Sequence, residues 1–427
     1  MTDFYDSAET RHQAEREQAL LLALPHALRH AVANAPAVAR QLQGVDATHI
    51  HTREALSQLP VIRKSDLLTL QTEARMGGAA FEVQRDVRER VFGGFSAVGW
   101  GSKTRRVFAS PGPLYEPEGS TPDYWRFARA LFAAGFRSGD LVHNCFSYHF
   151  TPAGSMFETA AHALGCTVFP AGVGQTEQQV QAILDLEPSG YTGTPSFLKI
   201  ILEKADELGV NLPSIKRALV SGEAFPPSLR DWFIARDIQA YQAYGSADLG
   251  MIAYETSARD GLVLSEDLLL EIVRPGTGAV LPEGEVGEVV ITALNTAYPL
   301  VRFGTGDLSA ILPGVSPCGR TNTRIRGWLG RADQTTKVRG MFVHPAQVAQ
   351  VIARYPELIK ARLVVSGRMG ADQMTLKVEC TSQPPALATR LEQTVRDVTK
   401  LRADIEFVDP NQLPNDGKVI EDVRAYD

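Results

Sequence analysis

Apolar residues recur at three- and four-residue spacing through "AEREQALLLALPHALRHAVANAPAVARQL", and the same spacing returns in "IRKSDLLTLQTEA" after Pro60. Residues 10–76 therefore read as helical. From 121 to 250 the pattern changes to short apolar runs separated by amphipathic stretches. "TPDYWRFARALFAAGF" reads as a helix with a Thr cap and Pro at its first position. "LVHNCFS" is a strand, "SMFETAAHALG" a helix ending on Gly165, "CTVFPAG" a strand, and "TEQQVQAILDL" a helix opened by a Thr176–Gln179 capping box. "GYTGTP", "IKRALVSGEA" and "AYQAYGSAD" are further strands running into loops, with helices "SFLKIILEKADELG" and "PPSLRDWFIAR" between them. This alternation predicts an α/β fold with a mostly parallel sheet flanked by helices. Chemistry in such sheets belongs to the loops at the carboxyl ends of the strands.

Beyond 251 the pattern is strand-rich: "LLLEIVRP" and "GEVVITAL" read as a hairpin, and "PLVRFGTGDLSAIL" as a strand pair around a Gly-rich turn. From about 334 the order β-α-β-β-α-β predicts a small α+β, ferredoxin-like unit. The expected division is 1–332 and 333–427, hinged near Gly330 to Asp333.

A length of 427 residues with 44% apolar and 22% charged positions is that of a globular enzyme with two or three domains. A net charge of −6 without a dense Lys/Arg run argues against a nucleic-acid partner. The four cysteines form no Cys-x-x-Cys pair, which fits free thiols in a reducing compartment. No apolar run reaches membrane-spanning length, and the first residues lack a signal core, so a soluble cytoplasmic protein is expected.

Four strand-end segments carry candidate chemistry. "SGEAF" (221–225) is a small-Gly-acid turn that lets backbone approach a flat ligand, and reads equally as a plain strand-to-helix turn. "AYGSADLG" (243–250) offers an aromatic ring to stack on a base and a carboxylate, Asp248, to hold Mg²⁺; an Asx-type turn explains Asp248 as well. "RFGTGDLS" (302–309) places Asp307 where a carboxylate can grip paired ribose hydroxyls, or only close a turn. The fourth combines "GRADQTTKVRGMFVHP" with the terminal "PNDGKVIEDV" and its Lys418, which taken alone is an ordinary solvated lysine.

In this order, the four segments resemble the adenylate-forming acyl-CoA synthetases, and specifically their phenylacetate-CoA ligase branch, from "LSQLPVIRKSDL" to "DGKVIEDV". The resemblance implies ATP-dependent activation of a carboxylic acid as acyl-AMP, then transfer to coenzyme A, with a mobile C-terminal domain. It implies that Gly222 and Glu223 lie against adenine, that Tyr244 stacks on it with Gly245 and Ser246 alongside, and that Asp248 takes the Mg²⁺ position. It further implies that Asp307, assisted by Arg331, holds the ribose, that Asp333 is the hinge, and that Lys418 acts in adenylation. Phe146, Tyr148 and Phe150 with Thr194 and Pro195 fall in the acyl-pocket region and suggest a flat or aryl acid. Partners would be a small carboxylic acid and CoA; relatives commonly form homodimers.

The chain departs from the family at "SPGPLYEP" (110–117), where relatives carry a loop close to Ser-Ser-Gly-Thr-Thr-Gly-Lys-Pro. Ser110 and Gly112 are what remains of the phosphate cradle; Pro111 and Pro113 lack backbone donors, and Glu116 takes the lysine's place, repelling phosphate. Asp248 is a methylene shorter than the family's glutamate, and Gly304 stands where arginine is common. Only Cys318 remains of a zinc-ligand set that some relatives carry, so no zinc site is expected. Two alternatives stay open: a degenerate homologue that binds nucleotide or acyl-adenylate without full catalysis, and an adenylyltransferase with another acceptor.

Overall fold

The computed structural model describes the chain except residues 1–3, 77–85, 276, 330, 333, 335, 340, 344, 369–370, 381–384, 411, 415–418 and 425–427. The chain divides into two compact units, Met1–Leu329 and Gly330–Asp427.

In the first unit, helices alternate with five parallel strands, which are adjacent in the order Thr167–Phe169, Leu141–Asn144, Gly190–Gly193, Arg217–Val220 and Gln239–Ser246. Antiparallel strands Gly250–Tyr254, Leu262–Leu264, Arg324–Ile325 and Ile311–Leu312 extend the sheet to nine. Gly193 and Val220 are buried strand ends, the pattern of strands covered on both faces. The predicted hairpin pairs Leu268–Val273 with Gly287–Ala293 in a second, four-stranded sheet.

Two helix starts differ from the sequence pattern. The segment after Thr121 stays irregular until Ala128–Ala133, because Asp123, not Thr121, accepts from the amides of Phe127 and Ala128. Arg126, at φ +65°, is drawn away to the carbonyls of Leu249 and Met251. The helix Thr176–Leu186 lacks its capping box: Gln179 is buried and bonds His143 Nε2 at 2.6 Å instead of the helix start. The Gly-rich stretch at 304–306 is no turn. Phe303–Ser309 runs through it as one strand, with a register shift where Glu288 Oε1 accepts from the Gly306 amide.

The second unit holds a four-stranded sheet in the order Asp404–Val408, Ala371–Cys380, Leu358–Arg368, Ile420–Asp422. Alternation buries Leu363 and Val365 on the sheet, against Leu387, Leu391 and Val395 of the helix Pro385–Thr399. The expected first strand pairs elsewhere: Thr336–Val338 and Met341–Val343 form their own hairpin, and Ile420–Asp422 completes the sheet.

Candidate active site

The candidate residues of the first unit gather where the parallel strands end. Asn144 anchors the loop that follows its strand: its amide donates to Tyr148 Oη at 2.7 Å and to the Gly154 carbonyl at 2.9 Å. Its Oδ1 accepts from Thr192 Oγ1 on the neighbouring strand. Phe146 is buried and stacks on Phe157 with ring centroids 4.3 Å apart. Phe150 is not a pocket residue in this arrangement. It is 80% exposed, at φ +60°, and its carbonyl accepts from Ala109. Tyr148 lines a cavity of about 240 Å³ with Arg106, Phe108 and Glu158.

Thr194 caps the helix Pro195–Glu207 by accepting from the Phe197 amide, and Pro195 occupies its first position. Glu223 reaches the same helix start and accepts from the Ser196 amide at 2.6 Å. Gly222 is exposed and has φ +85°, a conformation that disfavours any side chain. A Cβ there would lie 3.7 Å from Thr194 and 3.9 Å from Phe146, so the adenine-turn and acyl-region candidates are neighbours.

Tyr244, Gly245 and Ser246 end the strand Gln239–Ser246. Gly245 is required, because a Cβ would come within 2.6 Å of the Gly250 carbonyl oxygen. The Tyr244 hydroxyl donates to Asp307 Oδ2 at 2.8 Å, joining the two sheets at this point. Trp328 Nε1 donates to the other carboxylate oxygen of Asp307 at 3.1 Å. Arg331 is half-buried in the second unit; Asp333 and Lys418 lie outside the described residues.

The counterpart of the phosphate loop is a tight hairpin, Thr104–Ser110 with Leu114–Gly119. Glu116 is not aimed at solvent: it sits on the second strand, fully buried. Ser110 Oγ donates to Glu116 Oε1 at 2.5 Å, and Lys64 Nζ donates to Ser110 Oγ at 2.9 Å and Asp248 Oδ2 at 3.2 Å. Burial, and then the adjacent Asp248, push the Glu116 carboxyl up to about 8. Gly112, at φ +153°, packs against Leu68.

Lys64 was not among the residues that the sequence singled out. Its signal is a cation in the first turn of the helix Lys64–Met76, where the helix dipole disfavours positive charge. Gly304 lies opposite an arginine of the neighbouring strand. Arg63, its register partner, makes a bidentate pair with Glu288, whose Oε1 would meet a Cβ on Gly304 at 2.6 Å. Cys318 is surrounded by Ser316, Thr256 and Arg320; burial raises the thiol, but these hydrogen bonds outweigh it and hold it below its usual value. Among the described residues, no group of three or more His, Cys, Asp or Glu comes together.

Tyr244 and Asp307 thus meet where the parallel sheet ends. Residues 123–297 match the AMP-binding enzyme family and 340–424 the AMP-binding enzyme C-terminal domain. The phenylacetate-coenzyme A ligase of Aromatoleum evansii is 31% identical over 94% of this chain and 92% of its own. That of Thermus thermophilus is 30% identical over 87% of each. A crystal structure of 2-hydroxyisobutyryl-CoA ligase in complex with 2-HIB-AMP and CoA superposes with a TM-score of 0.79 at 25% identity, covering 100% of this chain and 93% of that one. The chain belongs to the phenylacetate-coenzyme A ligase family. No helix among the described residues is long and apolar enough to cross a membrane.

Proposed function

We propose that this chain is an AMP-forming acid–CoA ligase that activates a flat or aryl carboxylic acid as its acyl-adenylate and passes it to CoA. The observation that carries this is the Tyr244–Asp307 pair, which joins the end of the parallel sheet to the strand Phe303–Ser309, beside the left-handed Gly222. Asp307, with Tyr244 and Trp328 fixing its plane, accepts from the ribose hydroxyls. Gly222 leaves open the face on which adenine lies. Phe146 and Thr194 beside it line the way to the acid, with Tyr148 and Pro195 in the same two strand-end segments. Arg331 assists at the ribose, and Lys418 stabilises the charge that develops as the acid attacks the α-phosphate.

Asp248 is the cation acid of this reading. Its Oδ1 is buried without a hydrogen-bond partner, which suits a carboxylate awaiting a ligand. Mg²⁺ bound there would screen the triphosphate. The test is acid-dependent AMP formation with a panel of aryl and short aliphatic acids, with and without CoA. Lys418→Ala should abolish adenylation and largely spare thioester formation from supplied acyl-AMP. AMP formed with acid but no gain from CoA would support another acceptor.

A further inference from the structure

Two buried oxygens without a hydrogen-bond partner belong to side chains that share one neighbour, Lys64: Glu116 Oε2 and Asp248 Oδ1. Glu116 Oε1 and Asp248 Oδ2 both lie within 4 Å of the same Lys64 Nζ, so the two carboxyl groups adjoin. Glu116 is 0% exposed and Asp248 7%. The Lys64 ammonium faces them. Lys64 Nζ lies 3.2 Å from Asp248 Oδ2 and 3.8 Å from Glu116 Oε1, with its side chain 41% exposed.

Two adjoining buried carboxyl groups can both ionise only beside more positive charge than one ammonium supplies. Unmatched acceptor oxygens in such a place call for a donor or a metal ion. Mg²⁺ sites built on one or two carboxylates and completed by phosphate oxygens and water have this composition. The tight hairpin turn holds Glu116 on the same side of its strand as Ser110, and so against Asp248. We propose that Glu116 and Asp248 are paired ligands of one divalent-cation site, and that Lys64 supplies the positive charge there when the metal is absent. The glutamate in the phosphate hairpin is then a way of recruiting a cation to phosphate. The proposal rests on the reading of Asp248 given above.

The test is Mn²⁺ titration of the full chain without substrates, following free Mn²⁺ by electron paramagnetic resonance, with circular dichroism as the folding control. One equivalent should bind. Glu116→Gln and Asp248→Asn should each weaken it at least tenfold, and Lys64→Met should tighten it severalfold by removing the competing ammonium. If Glu116→Gln binds like the parent while Asp248→Asn does not, the paired site is overturned and the role of Asp248 survives. If neither substitution changes binding, or the parent chain binds no Mn²⁺, both fall. Should Glu116→Gln fail to fold, Lys64→Met decides, and unchanged affinity in that variant overturns the proposal.

Discussion

The Tyr244 hydroxyl donates to Asp307 Oδ2 at 2.8 Å and thereby links the end of the parallel sheet to the strand Phe303–Ser309 of the second sheet. A hydrogen bond to a charged group contributes about 1.5–3 kcal/mol, or on the order of 10- to 100-fold in a rate constant. Tyr244→Phe should therefore lower kcat/KM for ATP by that factor. Asp307→Ala, which removes the acceptor itself, should lower it further. Pyrophosphate release under saturating acid measures both.

Restoring the lysine of relatives at position 116 should harm the protein. Glu116→Lys places a second ammonium beside Lys64 in a fully buried position and removes the acceptor of Ser110. Breaking a buried charge cluster costs about 3–5 kcal/mol. The denaturation midpoint should fall accordingly, with no gain in adenylation.

How much of this site the sequence reveals is decided by where each residue's partners lie. Gly222 and Tyr244 are legible as candidates because the ends of parallel strands form the ligand crevice, whatever packs behind them. Asp307, by contrast, lies inside the strand Phe303–Ser309 and reaches that crevice through its bond to Tyr244. Glu116 is not legible. In "LYEPEG", Leu114, Glu116 and Glu118 share one face of a strand, and two glutamates on one face read as solvent-facing. That face is buried because Lys64, Asp248, Arg106 and Ser155 arrive from elsewhere: Arg106 and Ser155 satisfy Glu118, while Lys64 and Asp248 surround Glu116. Phe150 errs in the opposite direction, since an aromatic in a loop reads as pocket lining while its left-handed backbone turns it outward. The second unit was legible in element order, because Leu387, Leu391 and Val395 keep a strict helical spacing. Which strands pair was not, as strand partners are set by tertiary packing.

His143 is buried on the strand Leu141–Asn144, stacked against Phe169 and bonded to Gln179. Burial lowers its pKa to about 4, against 6.5 for an ordinary histidine. The folded state therefore binds the proton less readily than the unfolded one. Its contribution is fully present above pH 6.5 and is lost as pH falls toward 4, amounting to about 3 kcal/mol at most. Urea unfolding between pH 4 and 7 should show this slope, and His143→Asn should flatten it.

Leu391 is 0% exposed in the core of the second unit. Leu391→Ala should destabilise that unit by about 2–5 kcal/mol through lost burial and the cavity left behind. Calorimetry of the full chain should show a lowered melting midpoint for this variant.

The account as a whole turns on whether the Tyr244–Asp307 site makes an adenylate. Incubated with ATP, Mg²⁺, CoA and a panel of carboxylic acids, the protein should release AMP in an acid-dependent manner and form the matching thioester, most efficiently with an aryl acid. Thioester formed only from supplied acyl-AMP, with no AMP made from ATP by any acid in the panel, would contradict it.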